Sequence, residues 1–134
     1  MTTKEYLLQV KCLDEKIQAN KEALEALKAK LTDITSKLDE DKVQSSNQAN
    51  FDETLADVID TESRLTRDMC KYINLKYKIL NEINAMEDNT LSVILFKRYI
   101  LNKSLNQIAK ELNYSYDHLR HLHLKALREF RRTN

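Results

Sequence analysis

The stretch Ser104–Arg132, "SLNQIAKELNYSYDHLRHLHLKALREFRR", decides how the C-terminal part of this chain folds. Apolar residues recur at helical spacing from Leu105 to Leu112 and again from Tyr116 to about Arg131, on either side of the short break Asn113, Tyr114, Ser115. Each half carries its own start signal: Ser104 with Gln107 three residues later makes a capping box, and Ser115 caps the last helix. Asn113 stands where the backbone must turn left-handed, the position glycine usually takes. Two helices joined by a turn of three to four residues, the second one basic, form a helix-turn-helix, in which the second helix enters the DNA major groove.

The side chains divide accordingly. Ile108, Leu112, Leu119 and Leu122 can meet across the turn, and Ala109 is small where the two helix backbones approach. Leu119, Leu122, Ala126, Leu127 and Phe130 make an inward stripe on the last helix. Tyr116, Asp117, Arg120, His121, Lys125, Arg128, Arg131 and Arg132 are left outward. Residues near the start of a recognition helix reach base edges. Arg120 can donate two hydrogen bonds to a guanine, Asp117 can accept from a cytosine amino group, and Tyr116 and His121 can add base or methyl contacts. Lys103, Lys110, Lys125, Arg128, Arg131 and Arg132 read as phosphate contacts, which add affinity and salt dependence without reading sequence. A solvated basic face on a packing helix is the alternative.

Composition extends the reading outward. The chain has 134 residues, about one domain's worth, with no glycine and no proline. It therefore lacks the residues that hairpin turns and phosphate-cradling loops draw on most, and an all-α fold is expected. Cys12 and Cys70 have no paired-cysteine spacing and are expected as core or boundary thiols in a reducing cytoplasm. The opening "MTTKEYLLQVKCLDEKIQ" is charged every few residues, which fits neither a signal peptide nor a membrane span. Net charge is +1 overall but uneven: residues 1–88 hold 13 Lys+Arg against 18 Asp+Glu, net −5, and residues 89–134 hold 9 against 3, net +6. Any basic partner-binding face belongs to the C-terminal end.

The first 88 residues read as a helical hairpin. Val10, Ile17, Leu24, Leu31 and Leu38 form one heptad row and Tyr6, Leu13, Leu27 and Ile34 the other, with Asn20 interrupting the second. The helix runs from about 3 to 38. Residues 39–50, "DEDKVQSSNQAN", break the period and read as a loop. A second run, 51–86, places Phe51, Val58, Leu65, Tyr72, Ile79 and Met86 on one row, Leu55, Met69 and Ile83 beside it, and Ile59, Ile73 and Leu80 at its margin. Glu62 and Lys76 fall inside the second row. An antiparallel pair within one chain is the simplest arrangement, with a parallel coiled coil between chains as its competitor. Asn89 or Thr90 is the expected N-cap of a third helical segment, Leu91–Ile100, which opens the C-terminal domain, 89–134.

"LSVILFKRYILNKSLNQIAKELNYSYDHLRHLHLKALREFRR", Leu91–Arg132, resembles the fourth region of bacterial sigma factors. The shared features are "RYI" closing the first helix, "SLNQIAKEL" as positioning helix, and a serine and "LKALREF" framing the recognition helix. The N-terminal half, with "TTKEYLLQVKCLDEKI" and "EDKVQSS", is similar to small phage proteins with a sigma-like end, the RinA and ArpU type activators of late genes. That resemblance implies a phage or prophage transcription regulator, with Tyr116, Asp117, Arg120 and His121 aligned to the family's base readers and host RNA polymerase as a further partner. Asn113 replaces the glycine common in the turn of that family, and Tyr116 and His118 replace residues often charged there, so its preferred DNA sequence does not carry over. The sigma regions that bind core polymerase most tightly and melt the promoter are absent.

The expectation is an all-α, cytoplasmic, nucleoid-associated protein that binds promoter DNA through the last helix and homodimerises through the long ones. No catalytic constellation, cofactor or metal site is expected; residues two apart, such as His121 and His123, do not share a helix face, and His118 with His121 lacks a third ligand. Protonation of the histidines near neutral pH is expected to add charge beside the groove. The tyrosines, including Tyr72, Tyr77 and Tyr99, are expected to pack. Two other functions fit the same signals: a DNA-packaging protein like a phage terminase small subunit, and a coiled-coil interaction module that binds no specific DNA.

Overall fold

The computed structural model describes the backbone of residues 1–40 and 45–134, and the side chains of these other than Ile34, residues 37–40 and residues 45–50. The described residues form five α-helices and one π turn, with no strand, so the fold is all-α. They are α1 (Thr3–Glu40), α2 (Ser45–Asn84), α3 (Asn89–Leu95), a π turn at Phe96–Ile100 that continues α3, α4 (Leu105–Leu112) and α5 (Tyr116–Thr133). Among them no helix is long and apolar enough to cross a membrane.

Both long helices extend into the segment expected as a loop. Residues 41–44 lie outside the described residues, but α1 runs to Glu40 and α2 is helical from Ser45 rather than Phe51. Acidic and small polar residues cost at most about 0.7 kcal/mol each in a helix, and without glycine or proline nothing in 45–50 forces an earlier stop.

Two compact units make up the chain. The first joins Met1–Glu15 with Ile73–Asn134 and the second is Lys16–Tyr72. In the first, the Tyr6 hydroxyl donates to the Glu82 carboxylate at 2.8 Å and Asp14 pairs with Lys76 at 2.7 Å. In the second, the Lys16 ammonium lies 5.3 Å over the Tyr72 ring and the Asn20 side-chain amide donates to the Leu65 carbonyl at 3.4 Å. Within each unit the position on α2 falls as that on α1 rises, so the two helices run antiparallel. Two of the three residues that interrupt the apolar rows make cross-helix contacts: Lys76 has Asp14, and Asn20 has a backbone carbonyl.

The first unit holds most of the buried side chains. Leu7, Val10 and Leu13 of α1, Ile79 and Ile83 of α2, and Met86 are buried, as are Leu91, Ile94 and Leu95 of α3. Tyr99, Ile108, Leu119, Ala126 and Phe130 complete the set. Leu7 belongs to neither heptad row, because at this end α1 packs as part of a globular core, which needs a wider apolar stripe than a two-helix seam. In the second unit Val58 is the one fully buried residue among those described; Ile17, Leu24, Leu27, Leu65 and Tyr72 are half-buried. Two helices facing each other cover only one stripe apiece.

Three further expectations are corrected. Cys12 and Cys70 are exposed rather than core or boundary thiols, each sitting one residue off its helix's packed row. Tyr77 is 57 % exposed, whereas Tyr99 packs as expected. The N-cap of α3 is Asp88, whose carboxylate accepts from the Leu91 N–H at 3.1 Å, in place of Asn89 or Thr90. Aspartate caps as well as asparagine and adds a negative charge at the positive end of the helix dipole.

Candidate nucleic-acid interface

The turn between α4 and α5 is built from local signals. Ser104 Oγ accepts from the Gln107 N–H at 3.2 Å and Ser115 Oγ accepts from the His118 N–H at 3.2 Å, so both helices start on a serine cap. Asn113 takes φ 59°, ψ 39°, and beyond it the Tyr114 N–H reaches back to the Ala109 carbonyl at 2.9 Å. That six-residue return is the Schellman closure of α4. A second left-handed residue, Asn102 at φ 56°, closes the π turn: the Leu101 N–H bonds the Phe96 carbonyl at 3.1 Å and the Lys103 N–H bonds that of Lys97 at 3.0 Å. With no glycine available, both reversals fall on asparagine, the residue that best tolerates this conformation otherwise.

Packing then sets the orientation of α5. Ile94, Ile108, Ala109 and Leu119 form a buried cluster, with Leu105, Leu112, Tyr114 and Leu122 against its edge. Further along, Ala126 is fully buried and Phe130 lies against Tyr6, ring centroids 6.0 Å apart. The buried strip of α5 is Leu119, His123, Ala126 and Phe130, while Leu122 and Leu127 are only half-buried. His123 takes the place the apolar pattern left open. Its Nε2 meets the Tyr99 hydroxyl at 2.9 Å, and the two rings stack with centroids 5.8 Å apart. Burial, with the positive charges of Arg98 and Lys4 behind it, pushes the imidazole down to about 4. The expectation that every histidine adds charge beside a groove is therefore corrected for His123: it faces the core and stays neutral at physiological pH.

Tyr116, Asp117, Arg120 and His121 of α5 are all exposed; Asp117 and His121 lie opposite the buried strip, whereas Tyr116 is in register with that strip and is exposed because it is the first residue of the helix. Lys110, Lys125, Arg128, Arg131 and Arg132 are exposed as well, and none of these five takes part in an ion pair among the described residues. Arg131 lines a cleft with Met1, Tyr6, Lys78, Glu82 and Phe130, and Lys125 and Arg132 border a second one with Glu87, Asp88 and Glu129. Lys103 differs from the other cations. Its ammonium sits 2.7 Å from Glu111, whose other carboxylate oxygen holds Lys97 at 2.8 Å. Hydrogen bonds from Lys103 and then Lys97 hold the Glu111 carboxyl below its usual range. Glu111 thus ties α4 to the π turn and to the residue before Ser104, and sequence spacing offered no sign of it because its partners are 14 and 8 residues away.

Leu124 is the other residue that pattern reading passed over. It is 51 % exposed, and it occupies the outward side of α5 among the charged residues. His118 lies edge-on to Tyr114, ring centroids 5.1 Å apart, beside the turn.

Residues 30–130 match the profile of the family described as "Protein of unknown function (DUF1492)". No curated protein and no solved structure matches the chain.

Proposed function

The chain belongs to the DUF1492 family, and we propose that it is a sequence-specific DNA-binding transcriptional regulator that docks at a promoter with α5 in the major groove. One observation carries this reading: α5 buries a complete strip against the core and presents, on the other side, Arg120, His121, Lys125 and Arg128 exposed. The net charge of +6 over residues 89–134 matches a polyanionic partner, and five of the nine cations in that segment lie on α5. The short capped turn before α5 and its fixed hold on α4 are what a recognition helix requires. Arg120 and Asp117 act on base edges, with Tyr116 and His121 beside them; Lys110, Lys125 and Arg128 act on phosphates. The likeness of Leu91–Arg132 to the fourth sigma region supports a role in phage or prophage late-gene activation, with a contact to host RNA polymerase.

The long helices supply self-association. In the second unit the described residues of the apolar rows other than Val58 are half-buried and Ile59 is 48 % exposed, which leaves surface for a second copy. Paired copies place two recognition helices on two half-sites. Sedimentation equilibrium reads this directly, and a monomer at tens of micromolar removes the dimer from the scheme.

The test of DNA reading is selection of bound fragments from genomic DNA at physiological salt, comparing the wild-type chain with Arg120→Ala. The wild type enriches one site upstream of an operon; the variant loses discrimination of about 1–3 kcal/mol at one base pair. Equal weakening on specific and random DNA makes Arg120 a phosphate contact, and absence of enrichment by the wild type overturns the reading.

A further inference from the structure

We infer that Leu124 reads the C5-methyl group of a thymine, an inference that rests on the DNA reading above. The starting observation is an apolar side chain out of place. Leu124 is 51 % exposed on α5, and the helix buries its opposite strip, Leu119, His123, Ala126 and Phe130. Its neighbours on the outward side are polar or charged: Asp117 and Arg120 lie seven and four positions before it, His121 three before, and Arg128 four after. Leu124 lies outside the strip that α5 buries.

Its register supplies the explanation. Asp117, Arg120, His121 and Leu124 stand at i, i+3, i+4 and i+7, the strip that a helix lying in the major groove turns toward base edges. Three members of the strip carry hydrogen-bonding groups. The fourth carries none, and the apolar feature of the major groove is the thymine methyl. The cations beside it, Lys125 and Arg128, hold the helix against phosphates, so that a methyl group meeting Leu124 is removed from water. A one-methyl contact of this kind corresponds to about a fourfold change in affinity.

The experiment uses the full chain and the site obtained by fragment selection. Each thymine is replaced in turn by uracil, which lacks only the C5-methyl, and binding is compared for wild type and Leu124→Ala. The expected result is one thymine at which uracil weakens the wild type about fourfold, with that loss abolished in Leu124→Ala. Arg120→Ala, by contrast, keeps the uracil effect while losing discrimination at its own base pair. Because Leu124 is exposed, the variant retains the wild-type helical content and melting temperature. Selective binding that tolerates uracil at every position, or a uracil effect that persists in Leu124→Ala, overturns this inference alone. Failure of the wild type to select any site overturns the DNA reading and this inference with it.

Discussion

The hydroxyl of Tyr99 and the Nε2 of His123 lie 2.9 Å apart inside the first unit, joining the π turn to the middle of α5. The pair sits behind the helix whose other side carries the exposed basic residues. Its polar atoms satisfy each other where apolar neighbours offer nothing. That fixes the rotation of α5, since turning it would leave two buried polar groups unpaired.

Acid should weaken the fold through His123. Its folded pKa of about 4 lies below the ordinary 6.5, so the unfolded chain binds more protons between these values. The stability contribution is complete above pH 6.5 and declines as pH falls toward 4. Denaturant unfolding should show a loss of about 2 kcal/mol between pH 7.5 and 5. His123→Gln, which cannot titrate there, should flatten that decline; an equally steep profile in the variant assigns the pH dependence to other groups.

Replacing Asn113 separates backbone from side-chain roles. At φ 59° alanine should cost about 1 kcal/mol and glycine should be neutral or stabilise by a few tenths. The same order is expected at Asn102 with φ 56°. Thermal melts of both pairs read this out, and a glycine variant as unstable as the alanine variant means that the asparagine side chain itself is needed.

Lys125 and Lys103 should differ on DNA. Lys125 is exposed, and Lys125→Ala should weaken all sequences alike and lower the salt slope by about one unit. Lys103 is already matched by Glu111, so Lys103→Ala should change the slope less. Equal slopes for the two variants mean that Lys103 leaves Glu111 for phosphate when DNA arrives.

What could be read from the chain in advance was whatever a few neighbouring residues decide among themselves. The absence of glycine and proline and the heptad rows specify an all-α chain, because helix formation is local in hydrogen bonding. Ser104, Asn113 and Ser115 mark the helix ends for the same reason: a cap bonds a backbone group two or three residues away. Even here α1 and α2 extend further into the expected loop than the pattern predicts, since acidic and small polar residues do not by themselves stop a helix.

Tertiary structure decided the rest. That His123 is a core residue, that Glu111 holds two lysines, and that Leu124 stands outside all depend on which side of each helix meets the others. Periodicity assigns a stripe to the inside by hydrophobicity alone, so it left the buried polar His123 out of the inward stripe and the exposed apolar Leu124 out of the outward set. Both are exceptions to hydrophobic sorting, and the first has a partner that pattern cannot supply, Tyr99, 24 residues away. Contacts over such separations exist only once the chain has folded, which is why they carry what the sequence pattern lacks.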